Sequence, residues 1–206
     1  NILDMSFWLY FFIFFIAVFV AFFIPGDLLI KKYNLSVFQR VVLGTGIGIV
    51  LWGWQGFIFG YLGVRFLSYF YILILALLWI HLQGKEFLGR VISKASFRKP
   101  DWIVTFLIIL GVIVQLSSVW FNGVYLKEGL FFCCGNLSDS ILHTALTNQV
   151  VKNFPPFEPG MYGEIVRNYH YWGNLVIGEL MRVFHLPLIS TQNQYSMFLV
   201  SLLLGL

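Results

Sequence analysis

Ser6-Phe-Trp-Leu-Tyr-Phe-Phe-Ile-Phe-Phe-Ile-Ala-Val-Phe-Val-Ala-Phe-Phe-Ile24 holds no charged residue and is followed at once by Pro25-Gly26. Water does not tolerate so long an apolar run, whereas a bilayer requires one of about 20 residues to cross its hydrocarbon core. The stretch reads as a first membrane helix, and Pro25-Gly26 as its stop. A cleaved signal sequence would need a basic start and a small-residue cleavage site. Only Asp4 precedes this run, and no such site follows it.

The rest of the chain keeps the same character. Hydrophobic residues make up 59% and charged residues 11%, with a mean hydropathy of +0.84, against about 25% charged in a soluble domain. Further apolar runs lie at about Val41–Leu62, Phe66–Leu82, Trp102–Phe121 and Tyr171–Phe184, with another beginning near Tyr195. The expected fold is all-α, a polytopic transmembrane helical bundle. It comprises four helices over residues 1–121, a partly helical outer loop over 122–170, and further membrane helices over 171–206. The missing initial Met and the apolar run around Leu206 read as the ends of a fragment. Gly44, Gly46, Gly48, Gly53, Gly56 and Gly60 crowd the second run, a spacing that lets helix backbones approach in lipid. They lack the preceding strand and following Lys-Ser/Thr of a phosphate loop. Trp8, Trp102, Trp120 and Trp172 fall near run ends, where indole rings favour the interface.

The basic residues set the orientation. Lys31, Lys32 and Arg40 follow the first run, and Lys85, Arg90, Lys94, Arg98 and Lys99 follow the third. Both segments then face the cytoplasm, and residues 122–170 face outward. No basic stripe interleaved with exposed aromatics points to nucleic acid. Adjacent cysteines rarely close a disulfide without strain, so Cys133 and Cys134 read as small apolar residues. Asn34-Leu-Ser and Asn136-Leu-Ser match the glycosylation pattern, without bearing on function.

The outward segment is far longer than a usual connection, and its Phe, Leu, Tyr and Ile argue against disorder. Asn136-Leu-Ser-Asp139 has the look of a helix start, with Ser138 or Asp139 as the N-cap. The helix would run through Ile141, Leu142, Leu146 and Val150 and stop before Pro155-Pro156. Asp139 and His143 then share a face and could hold a divalent metal or share proton transfer. The plainer reading makes Asp139 a cap and His143 a local hydrogen-bonding group. Pro155-Pro-Phe-Glu158-Pro-Gly160 holds Glu158 in a rigid turn or extended stretch. His170 leads into the fifth run at the membrane surface. Tyr169, Tyr171 and Trp172 form an aromatic belt or a platform for a sugar. Lys127, Lys152 and Arg167 are outer cations able to meet a phosphate. Glu179 and Arg182 can pair along the fifth run, where ionisable groups call for a functional explanation; Arg182 could instead snorkel.

Two sets of residues carry a resemblance. Phe23-Ile-Pro-Gly26, a Leu-rich stretch, Gln39-Arg40 and a Gly-rich run resemble the opening of bacterial and archaeal GT-C membrane glycosyltransferases. Ser138-Asp139-Ser-Ile-Leu-His143, Pro155-Pro156, Tyr169-His-Tyr171 and Phe184-His-Leu-Pro187 are similar to the first outer loop and following helix of the enzymes that use polyprenyl-phosphate sugars. Protein mannosyltransferases and aminoarabinose transferases are examples. In this chain that loop follows the fourth run rather than the first. The resemblance implies a prokaryotic plasma-membrane enzyme that moves a sugar from a lipid-phosphate donor to a lipid, glycan or protein acceptor. It implies Asp139 as catalytic base or as ligand to Mg or Mn, with Glu158 or Glu164 as a second acid. A transporter or flippase, or a non-catalytic membrane module, is the alternative. A transporter would show ionisable residues in mid-span and broken helices.

Overall fold

The computed structural model describes residues 5–84, 102–119, 122–133, 137–167 and 169–205. The chain is mostly helical, and the apolar runs form helices close to where the sequence places them. Helix α1 is Met5–Val18 and α2 is Ile24–Ile30; a π-helical turn, Phe19–Phe23, joins them. Helix α3 is Val37–Tyr61, α4 is Leu67–Trp79 with a π extension Ile80–Gly84, and α5 is Trp102–Val119. Helix α6 is Leu137–Lys152, α7 is Trp172–Phe184, α8 is the short Leu188–Ser190, and α9 is Ser196–Gly205.

Among the described residues two spans, Met5–Ile30 and Val37–Tyr61, are long and apolar enough to cross a membrane; Leu67–Gln83 and Thr105–Ser117 are shorter apolar helices. The fifth run is different. Helix α7 has 13 residues and rises about 20 Å, short of the roughly 30 Å hydrocarbon thickness. It does not cross by itself. It buries Leu175, Val176, Leu180, Met181 and Val183 together with Asn174 and Glu179. The fold also contains a small hairpin that an all-α reading omits: Val124–Leu126 pairs antiparallel with Gly129–Phe131. Gly129 there has φ 137°, a conformation that a side chain would strain.

Pro25-Gly26 does not stop the first helix, which continues to Ile30. A proline ring inside a helix collides with the carbonyl four residues back and supplies no N–H. The π turn just before it accommodates this, with the Ile24 N–H reaching the Phe19 carbonyl five residues earlier. Gly26 has a different task. A Cβ at that position would stand 1.9 Å from the Gly44 carbonyl oxygen, and one at Gly48 would stand 1.6 Å from that of Phe22. The backbone of the π turn and α2 thus touches that of α3, as close packing by small residues requires.

Further along α3, Gly53 accommodates the Trp172 ring, Gly56 the Glu179 side chain and Gly60 the Phe154 ring. Only Gly46 of the expected set faces open space. The main core lies where α1, α3, α7 and the chain around Tyr195 meet, around Phe14, Phe22, Trp52 and Leu180. The Tyr195 hydroxyl donates to the Phe7 carbonyl at 2.7 Å, which ties α1 to the segment that precedes α9.

That close approach also buries an ion pair. Asp27 on α2 is fully buried and Arg40 on α3 is 4% exposed. The guanidinium reaches both carboxylate oxygens, Nε to Oδ1 at 2.8 Å and Nη2 to Oδ2 at 2.9 Å. The Trp79 indole donates to Asp27 Oδ2 at 2.8 Å, and Arg40 also donates to Gln83 Oε1. Arg40 is thus neutralised inside the protein, whereas Lys31 and Lys32 are exposed; Lys85 to Lys99 lie outside the described residues. Asp27→Asn keeps the shape but leaves a buried guanidinium without its counter-charge, a loss of about 3 kcal/mol. The purified protein should melt several degrees lower in detergent. An unchanged melting temperature would show that the pair contributes nothing to stability.

Candidate functional site

Helix α6 begins at Leu137, so Ser138 and Asp139 occupy its first turn rather than its cap. The preceding Asn136 lies outside the described residues. An acid in the first turn still complements the helix dipole. Asp139 is exposed. His143, one turn on, is half-buried, and its Nδ1 lies 3.1 Å from Asn174 Oδ1 on α7. Asp139 and His143 share no hydrogen bond among the described residues.

A polar ladder continues from His143 into the protein. Asn174 Nδ2 donates to the His143 carbonyl at 2.9 Å and to Thr147 Oγ1 at 2.8 Å. The Thr147 hydroxyl donates to Gln192 Oε1 at 2.8 Å. On the other side, the His143 and Tyr169 rings lie 6.2 Å apart, and Tyr169 stacks on His170 at 4.8 Å. His143, His170, Asn174 and Gln192 form the polar end of a cavity of about 390 Å³. Phe22, Ile49, Val176, Ile177, Leu199 and Val200 supply its apolar walls. A second cavity of about 290 Å³, apolar except for Thr45, lies between α1, α3 and α9 and shares Leu199.

Four of the predicted residues, His143, Tyr169, His170 and Trp172, are thus brought together. The others lie elsewhere. Lys127 is exposed in the hairpin turn, Lys152 is exposed at the far end of α6, and Arg167 is exposed. Glu158 belongs to a separate loop in which its N–H donates to the Glu164 carbonyl at 2.8 Å. It lines a different cavity of about 480 Å³ with Gln149 and Tyr162. Tyr171 packs on Phe154. Burial, with a hydrogen bond to Tyr61, holds its phenol well above the ordinary tyrosine range, so it stays a neutral hydroxyl. No three His, Cys, Asp or Glu side chains among the described residues are grouped to hold a metal. A metal on Asp139 and His143 would need substrate oxygens or water for its other ligands. The Cys133 N–H donates to Asn122 Oδ1 at 3.2 Å; Cys134 lies outside the described residues.

Glu179 and Arg182 do pair, and Arg182 is no snorkelling surface group. Glu179 is fully buried between two guanidiniums. Arg182 Nη2 reaches Oε2 at 2.6 Å and also donates to Ser68 Oγ and the Arg65 carbonyl. Arg65 donates to Oε1 and, through Nη2, to the Val150 carbonyl at 2.8 Å. A cation at the end of α6 thereby satisfies carbonyls that the helix leaves open. The sequence signalled only the Glu179–Arg182 half of this cluster. Arg65 is distant in the chain, and so are the partners of Asn174.

Comparisons with protein-family models, curated proteins and solved structures find no match for this chain.

Proposed function

We propose that this protein is a membrane glycosyltransferase that moves a sugar from a polyprenyl-phosphate donor to an acceptor at the outer face of the membrane. The observation that carries this reading is the cavity with apolar walls and a His-Asn-Gln end. An isoprenoid phosphate has the same division, an apolar chain behind a polar head. The protein then forms a polytopic bundle in which Leu67–Gln83 and Thr105–Ser117 join the two longer spans. Residues 122–170 lie outside the membrane, where a lipid-linked sugar presents its reacting carbon. Transfer there needs a group to take the acceptor's proton and cations or a Mg or Mn ion to stabilise the leaving phosphate. Asp139 and His143 are the candidates for the first task, and Lys127, Lys152 and Arg167 for the second. The acceptor, a lipid, glycan or protein, would approach past Tyr169.

One observation favours the transporter reading: the buried Asp27–Arg40 pair beside a π-widened helix. Both charges there are matched in bidentate geometry, which describes a fixed joint better than a transport site. Reconstituted protein supplied with radiolabelled polyprenyl-phosphate sugars separates the readings. The wild type should consume donor, and Ile177→Trp, which fills the cavity, should lower consumption at least tenfold while the protein still melts cooperatively. A wild type that consumes no donor but moves labelled lipid between leaflets would replace the enzyme with a flippase.

A further inference from the structure

Asn174 settles a question that the position of His143 leaves open, namely which ring nitrogen carries the proton. The His143 carbonyl can only accept a hydrogen bond, so the Asn174 atom 2.9 Å from it must be the amide nitrogen. The same nitrogen donates to Thr147 Oγ1, whose own proton goes to Gln192 Oε1. The carbonyl thus fixes the orientation of the amide, and its oxygen faces His143 Nδ1 at 3.1 Å. An oxygen there accepts, so Nδ1 must donate. In the neutral ring the lone pair then sits on Nε2, which has no hydrogen-bond partner among the described residues. His143 lines the cavity, whereas Asp139 stands exposed a turn away.

We infer that Asn174 is a positioning residue that holds His143 as its Nδ1–H tautomer, and that His143 Nε2, rather than the Asp139 carboxylate, takes the proton of the acceptor hydroxyl. The inference rests on the glycosyl-transfer reading. As the acceptor oxygen bonds to the sugar's anomeric carbon, the bond from that carbon to the phosphate oxygen breaks. Its electron pair leaves with the lipid phosphate, and the hydroxyl proton passes to Nε2. The imidazolium formed is still held by Asn174 Oδ1, and it loses its proton to water before the next turnover. Among titratable groups, Tyr169 faces the ring, and His170 stacks on Tyr169 and lines the same cavity; Thr147 and Gln192 are neutral. A tautomer fixed through the far nitrogen gives a histidine a defined base.

The chain has only 4 histidines, so nitrogen-15 labelling of histidine in the full chain in lipid nanodiscs gives a short spectrum, with His143→Gln assigning the resonance. At alkaline pH, His143 should show the Nδ1–H tautomer, and Asn174→Leu should return it to the Nε2–H form usual for free imidazole. Transfer should fall on the order of 10²-fold or more in both His143→Gln and Asn174→Leu, through kcat rather than KM. Asp139→Asn should leave the Nδ1–H tautomer of His143 in place, because the Asn174 amide and not the carboxylate holds it. Should Asn174→Leu not fold, Asn174→Asp keeps the acceptor and adds a charge, which should raise the lower limb of the pH–rate profile by about a unit. An Nε2–H tautomer in the wild type, or full transfer in His143→Gln, overturns the proposal. So does an Nε2–H tautomer of His143 in Asp139→Asn. A wild type that shows the tautomer but transfers no sugar defeats the glycosyl-transfer reading and the proton-acceptor role together, and leaves Asn174's hold on the tautomer standing.

Discussion

Glu179→Ala should be among the most damaging single changes in the protein, with a loss of roughly 3–5 kcal/mol. The carboxylate is wholly buried and serves two arginines, Arg65 and Arg182, which are 16% and 17% exposed. Removing it leaves two like charges close together in a poorly hydrated place. Their remaining bonds, to the Val150 and Arg65 carbonyls and Ser68 Oγ, satisfy protons but not charge. Total stabilities run at 5–15 kcal/mol, so the variant should sit near the edge of folding. For a chain of this size the melting temperature should fall by roughly 6–20 °C, measured by circular dichroism of the detergent-solubilised protein. Arg182→Met should cost less, because Arg65 still neutralises Glu179. If Glu179→Ala melts with the wild type, the cluster is held by its packing and not by its charge.

The same residues show what a sequence can and cannot disclose. Apolar runs placed the start of α1 and both ends of α3, α4, α5 and α7 to within a few residues, because burial in lipid or core acts on every residue of a run at once. The pairing of Glu179 with Arg182 was legible because a helix brings residues three apart onto one face. Arg65 was not, since it arrives from 114 positions away and no local rule predicts that approach. Asp27 and Arg40 were hidden for the same reason, and because each taken alone reads as a surface charge at a helix end. Pro25-Gly26 misled in a different way. The local rule for a helix stop was outweighed by a π turn upstream and by the need for Gly26 against α3. At the site, His143 and His170 were visible as residue types in an unusually long segment. Asn174 was not, although an asparagine on the buried face of an amphipathic helix is itself a signal. A polar group placed there needs a partner, and the partner is the histidine.

Gly48→Ala should be nearly as costly, although it adds a single methyl group. The new Cβ would lie 1.6 Å from the Phe22 oxygen, 2.4 Å from its carbonyl carbon and 2.7 Å from its Cα. All three are backbone atoms, so no rotamer change relieves the overlap and the helices must part. Overpacking typically costs 1–3 kcal/mol, and a backbone collision belongs at or above the top of that range. Gly46→Ala makes the control. Its Cβ would meet nothing within 4 Å, and alanine is the better helix former by about 0.5–1 kcal/mol, so it should leave the melting temperature unchanged or raise it. Parting α3 from the Phe19–Ile30 segment also pulls Arg40 from Asp27. The loss in Gly48→Ala should therefore overlap with that in Asp27→Asn, and the double variant should be less destabilised than the sum of the two. Additive losses would mean that glycine contact and ion pair are independent joints. A sub-additive result would show one joint, in which the small residues exist to bring the charges together.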